Sequence, residues 1–291
     1  MTGTVFHFLY LGFIGIEFAF MYFHTRKYPW SEFLVSAVLY LISKLLVFAF
    51  FAPCFALTIN AWNHRLFTIP FPNRIVEFFV YFVVADFIYF SYHCINHRVR
   101  FLWAGHFIHH ASDKFMLLTG MRSGFAQMKL PFTMLPIVYL GAEPILYASA
   151  AGLSLFFQFL LHTEAIGDIG PFNLIFNSPA QHRLHHARSG PSIDRNFAGV
   201  FLIFDRIAGT YVSEGDRELG IENLPQDLHP LRLIFFEWIE IFRDLKSEKG
   251  WKKKLLVLFG PPKAILPFQK EFDRRHDALI DEPRSSYQLQ A

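Results

Sequence analysis

Nine of the chain's 14 histidines fall between positions 93 and 186. His93 and His97 are four residues apart, so on a helix both imidazoles project from one face about a turn apart. His106, His109 and His110 follow in GHFIHH, where spacings of three and four again gather side chains on one helical side. His162 stands alone, and His182, His185 and His186 repeat the HxxHH pattern in QHRLHH. Any one of these read singly is an ordinary buried histidine bonded to a carbonyl. Nine together are not, because crowded imidazoles repel when protonated and compete for partners when neutral, whereas a divalent metal takes neutral ring nitrogens directly. A metal uses about four to six protein ligands, so the set suffices for two ions with room left for water or O2. Imidazole suits iron, copper, zinc and nickel alike, so the ligand type does not choose the metal. There is no HExxH and no paired Glu with ExxH, which sets aside zinc proteases and soluble di-iron bundles. Cys54 and Cys94, the only cysteines, lie outside any CxxC or CxxCH spacing, which argues against thiolate sites, iron–sulfur clusters and attached haem.

The elements that must position these histidines are apolar helices. The 291 residues are 53% hydrophobic and 18% aromatic, with 37 Phe and 18% charged residues; ordinary soluble domains carry roughly 25% charged residues. The net charge of +3 is slight and the basic residues are scattered, so nothing calls for nucleic acid. Residues 5–24, 33–59 and 75–97 are runs near or above the roughly 20 residues that a spanning helix requires. The second is interrupted by Lys44 and Pro53, and the third carries Glu77 and Asp86, whose polarity directs them toward protein rather than lipid. No basic n-region or cleavage site marks residues 1–24 as a cleaved signal, so the first run is expected to persist as a membrane helix. Residues 130–161 are too long for one simple crossing, and GAEP at 141–144 breaks them into a helical hairpin. The hairpin matters because it returns His162 to the membrane face that holds the earlier histidines.

The fold expected is an all-α integral-membrane bundle of about four to five membrane helices or hairpin arms with a histidine-rich cap. Basic residues near the spans, Arg26, Lys27, Arg98, Arg100, Lys114, Arg122 and Lys129, against Arg65 and Arg74 on the other side, put that cap in the cytoplasm. Residues 1–74 read as N-terminal transmembrane helices and 75–214 as the catalytic domain. Residues 215–291 read as a cytoplasmic or interfacial region, with amphipathic segments at 231–245 and 251–259. Asp86, two helical turns before His93, shares the histidine face and is expected either to orient a ligand or accept an imidazole N–H, or to make a hydrogen bond between helices. Asp194 and Asn196, in IDRNFAG, either bond ligand histidines or shape a turn. Glu164 and Asp205 are weaker candidates for such a role and read more readily as capping or solvated carboxylates.

The order HxxxH, HxxHH, a lone His after a hairpin and a final HxxHH resembles the integral-membrane fatty acid hydroxylase and sterol desaturase superfamily. The likeness extends over roughly residues 86–210 and includes DFIYFSYHCINHR, WAGHFIHHAS, QFLLHTEAIGDIGPFNLIFNSPAQHRLHH and IDRNFAGVFLIFDRIAGT. The flanking text is most similar to the alkylglycerol monooxygenase and bacterial sterol-desaturase-like branch. One departure is HHASDKFMLLTGMRSG, where related proteins tend to read HHSSE, and it bears on substrate preference. The resemblance implies a di-iron centre held by His93, His97, His106, His109, His110, His162, His182, His185 and His186. It implies O2-dependent hydroxylation, desaturation or ether cleavage of a lipid such as a sterol, fatty acyl chain or alkylglycerol. No GxGxxG suggests an internal reductase, so electrons are expected from a separate donor protein or, as the alkylglycerol branch implies, a tetrahydropterin. The rival from another class is a zinc- or copper-binding membrane or transport protein. It predicts ionisable groups along the spans at bilayer depth, whereas here they cluster at helix ends. A catalytically dead relative would have lost ligands, and all nine positions are filled.

Overall fold

A computed structural model describes residues 2–25, 28–122, 129–188, 192–215, 218–221, 224 and 229–262. Every element among them is helical, and the only β-type contacts among the described residues are isolated bridges, Phe176 with Phe201 and Ala187 with Leu219. The first apolar run forms α1, Thr2–Thr25, and the second α2, Trp30–Asn63, which continues through Pro53. The third run forms α3, Arg74–Arg98. The Asn73 carboxamide oxygen starts it by accepting from the amides of Ile75 and Val76, both at 3.0 Å. A short α4, Arg100–His110, follows after the extended residue Val99.

The stretch expected to be a hairpin is α5, Lys129–Tyr139, and α6, Pro144–Leu160, separated by a turn at Gly141. The Glu143 carboxylate caps α6, accepting from the amides of Ile145 and Leu146, and Pro144 occupies the first helical position, where no N–H is needed. The two ends of this hairpin return to one place. Gly120, ahead of α5, lies so close to His162, just after α6, that a Cβ there would stand 2.6 Å from the imidazole. Beyond it come α7, Pro179–His185, then α8, Ile203–Ala208, and finally α9, Pro230–Ser247, and α10, Trp251–Phe259.

Two segments, Trp30–Phe50 and Arg74–Arg98, are long and apolar enough to cross a bilayer. At ~1.5 Å per residue α3 alone is about 37 Å long, more than a ~30 Å hydrocarbon layer requires. Only 18% and 28% of the residues in their apolar windows are buried, so these are not core helices of a water-soluble domain. Shorter apolar segments, Phe8–His24 in α1 and Pro144–Leu160, run with them. Inside the bundle α3 and α6 meet through Tyr81, Ala85, Tyr147 and Ala150. Tyr10 of α1 packs edge-on against Phe156 and Phe159 of α6. Glu77 and Asp86 are buried, as their polarity within the run demands.

Two basic residues expected to mark the cytoplasmic rim are buried instead. Arg100 forms ion pairs with Glu237 and Asp244 of α9, and Arg122 pairs with Glu32 while donating to Ser36 at 2.8 Å. Arg26 and Lys27 lie outside the described residues, as do residues 263–291 of the expected C-terminal region.

Candidate metal centre

All nine histidines meet at one end of the bundle. Their ring nitrogens form two groups in which the atoms lie within 4.8 Å of one another: His93, His97, His106, His110 and His185 in one, and His109, His162, His182 and His186 in the other. The helix repeat explains the partition. On α4, His106 and His110 are one turn apart and share a face, while His109 is rotated the other way; on α7, His182 and His186 go together and His185 turns across. Each HxxHH therefore serves both groups. The rings of His110 and His186 stack at 4.3 Å where the groups adjoin.

The outward nitrogens are fixed by acceptors. Nδ1–H donates from His93 to the Phe197 carbonyl at 2.8 Å, from His185 to the Arg195 carbonyl at 2.7 Å and from His162 to the Gln158 carbonyl at 2.9 Å. His97 Nδ1 donates to the Asp194 carboxylate at 3.2 Å. With the proton on Nδ1, Nε2 carries a lone pair and points inward. There the nitrogens crowd. His93 Nε2 lies 3.0 Å from His106 Nε2, and His162 Nε2 lies 3.2 Å from His109 Nε2 and 3.0 Å from His182 Nε2. Among the described residues, Nε2 of His185 and of His186 is buried with no hydrogen-bond partner. Converging lone pairs and orphaned buried nitrogens are costly without a cation, and separations of 3.0–3.2 Å are those of neighbouring ligands about 2.1 Å from a shared metal, so the donor sets fit two metal ions.

Electrostatics keep the donors in the ligating form. Burial, reinforced by neighbouring imidazoles, holds His106, His110, His182 and His186 well below the ordinary histidine value. Burial pushes His162 down to about 4 and His185 to about 3. All six are neutral at pH 7, as metal binding requires.

A backbone clasp supplies the carbonyls. Asp205 accepts from the amides of Phe197 at 2.8 Å and Ala198 at 2.7 Å, and Asp86 accepts from those of Val200 and Phe201, each at 2.9 Å. Asp86 thus bonds the loop and Ser154 rather than an imidazole, and any effect on His93 passes through Phe197. Gly199 lies between the two carboxylates; a Cβ there would stand 2.5 Å from Asp86 Oδ1. The loop enters through Asp194 and Asn196, which hold left-handed backbone at φ 55° and 53°, a region Asp and Asn tolerate better than most residues. Asp194 therefore both bonds a histidine and shapes the turn. Asn196 shapes the turn alone, accepting from the Val212 amide at 2.9 Å and donating to the Val212 and Gln181 carbonyls.

Several residues at the site escaped the sequence reading. Glu17 of α1 accepts from Thr163 Oγ1 at 2.6 Å and from the Leu117 amide at 2.7 Å, tying the first helix to the residue after His162. A lone acid in an apolar run was the available signal. Phe115 stacks on His162 at 5.1 Å and Phe197 sits edge-on to His93 at 5.6 Å, closing both groups to water. The two weaker candidates did not escape that reading: Glu164 accepts from the Phe115 amide at 3.2 Å, and Asp205 is fully buried rather than solvated.

Comparison with known proteins finds relatives across the histidine-bearing segment. The fatty acid hydroxylase family profile matches residues 78–210. The chain is 32% identical over 233 residues to the alkylglycerol monooxygenase of Homo sapiens, covering 78% of this chain and 52% of that protein. It is 27% identical over 131 residues to the ornithine lipid hydroxylase OlsE of Rhizobium tropici, covering 44% and 40% of the two chains. It is 26% identical over 218 residues to the Delta(7)-sterol 5(6)-desaturase ERG3A of Gibberella zeae, covering 70% and 52%. The chain spans about half the length of the curated relatives it matches. No solved structure matches it at a significant level. Residues 78–210, which contain all nine clustered histidines, are thus the part of the chain that matches the fatty acid hydroxylase family.

Proposed function

We propose that the chain is a membrane oxygenase that holds two iron ions through nine histidines and uses O2 to hydroxylate a lipid, with desaturation or ether cleavage as variants of the same chemistry. The observation that carries this reading is the pair of adjoining, buried, all-imidazole groups at the end of an apolar bundle. His93, His97, His106, His110 and His185 would hold one ion and His109, His162, His182 and His186 the other. Bound iron would supply O2 activation and attack on an unactivated C–H bond, which no side chain here can perform.

The chain's own residues bind and orient. Phe197, Arg195 and Gln158 carbonyls and the Asp194 carboxylate fix the rings through Nδ1, so each Nε2 stays aimed inward. Phe115 and Phe197 exclude water, and the exposed apolar walls of α3 and α6 offer a lipid a path to the site from the side. The names of the relatives, an alkylglycerol monooxygenase, an ornithine lipid hydroxylase and a sterol desaturase, support a lipid substrate. Electrons would come from a separate protein or a tetrahydropterin. In this reading α1, α2, α3 and the α5–α6 hairpin lie in the bilayer, with the histidine end in the cytoplasm beside Arg98 and Lys114. Residues 1–74 anchor the chain, 75–214 carry the chemistry, and 215–291 cover the cytoplasmic end.

Metal analysis with Mössbauer spectroscopy on detergent-purified chain from iron-supplemented cells is the decisive test. Close to two coupled irons per chain are expected, with lipid oxidation assayed on alkylglycerol, ornithine-lipid and sterol substrates under each donor. His109→Ala and His185→Ala should each lower bound iron and abolish turnover. A single zinc per chain, or unchanged iron in both variants, would overturn the assignment.

A further inference from the structure

We infer that α9 and α10 form a hairpin lying in the headgroup layer of an anionic bilayer, beside the apolar run of α2. The inner side of the pair is already used. Leu233 and Ile234 pack with Leu39 of α2 and with Phe107 and Ile108 of α4, and Ile241 and Val257 pack on Ala104. The outer side is a second, separate apolar face. On α9 it presents Leu231, Phe235, Ile239 and Phe242, the last 67% exposed, at the i, i+4, i+8 and i+11 positions of one stripe. On α10 it presents Trp251, also 67% exposed, with Leu255, Leu256 and Phe259.

The exposed charge beside this face is cationic. Arg232, Arg243 and Lys246 are exposed on α9, and Lys252, Lys253 and Lys254, which fan around α10, are exposed there. The acids of the two helices and the turn between them, Glu237, Glu240, Asp244 and Glu248, are buried or half-buried. Glu240 meets Arg243 at 2.5 Å and Glu248 meets Lys253 at 3.7 Å, so some of the cationic charge is offset locally, but no exposed acid interrupts the face. Apolar bulk interleaved with exposed cations is the pattern that anionic lipid headgroups attract. Continuity points the same way, because α9 docks on Val35, Leu39 and Ile42, within the α2 segment apolar enough to span. A second copy of the chain fits poorly, since apposing two such faces would bring like charges together. The inference concerns the hairpin alone and stands whether or not the histidines hold iron.

The test is spin-label accessibility in the full chain. A nitroxide is placed at Phe242→Cys or Leu255→Cys in a Cys54→Ser, Cys94→Ala background, in vesicles of phosphatidylcholine with or without phosphatidylglycerol. In the anionic vesicles collisions with bilayer-dissolved O2 should exceed those with a water-soluble nickel chelate at both labels. Exchanging Lys252, Lys253 and Lys254 for Glu, or removing phosphatidylglycerol, should shift the ratio toward nickel. Nickel dominance in anionic vesicles would overturn the inference. So would low accessibility to both probes, which means protein covers the face. Relief on deleting residues 263–291 would then name that segment as the cover, and relief on dilution a second copy.

Discussion

At the scale of single residues, the centre depends on groups that touch no inward nitrogen. Asp86 holds the amides of Val200 and Phe201 and so sets the height of the Phe197 carbonyl against His93. Asp86→Asn removes charge from that clasp, and Gly199→Ala forces a Cβ against the same oxygen. Both variants should weaken iron binding by about 10–100-fold, the usual effect of disturbing the partners of ligand histidines, while helix content by circular dichroism stays constant. Iron titration at wild-type affinity in both would return Asp86 to a purely helix-packing role. The nine histidines were readable from residue type and spacing, although the expectation that each HxxHH gathers on one helical side fails, because the helix repeat turns His109 and His185 the other way. The division of each HxxHH between two groups was not, since it depends on how α4 and α7 face each other. The clasp was hidden for another reason: it works through main-chain carbonyls and amides, which carry no side-chain signature. Asp194 was recognised as a turn former or a histidine partner and proves to be both.

At the scale of elements, α4 carries three histidines on 11 residues and is too short to be stable alone. Its first turn is anchored by Arg100, buried between Glu237 and Asp244 of α9. Arg100→Met leaves two carboxylates buried without their cation and should cost about 3–5 kcal/mol. The expected result is a lower thermal midpoint in detergent, and an unchanged midpoint would show that α4 is held by its apolar contacts. Helix positions followed from the sequence with little error, because long apolar runs and the GAEP break at 141–144 carry strong local signals. The role of Arg100 did not follow. A basic residue next to a span looks the same in sequence whether it faces phosphate headgroups or a helix more than a hundred residues away.

At the scale of the whole molecule, burying neutral imidazoles makes the metal-free chain sensitive to acid. The sign follows from the depressed values. The unfolded chain takes up protons on these histidines as pH falls below about 6.5. The folded chain resists until near 4 for His162 and 3 for His185. Stability is therefore fully present above about pH 7 and declines as pH falls through that window. Chelator-treated protein followed by circular dichroism in denaturant at about pH 7.5 and about pH 5 should unfold more easily at the lower value, and equal midpoints would show that the histidines are already protonated in the fold.

The anchoring of α4 also has a consequence in time. The partners of Arg100 lie 137 and 144 residues further along the chain, and at a synthesis rate of about 5–20 residues per second they emerge roughly 7–30 s after it. Through that interval the first histidine-bearing helices are already made while their clamp is not. The centre is thus completed late, and on the proposed reading loading with metal would become a checkpoint that a chain extended past α9 is built to pass.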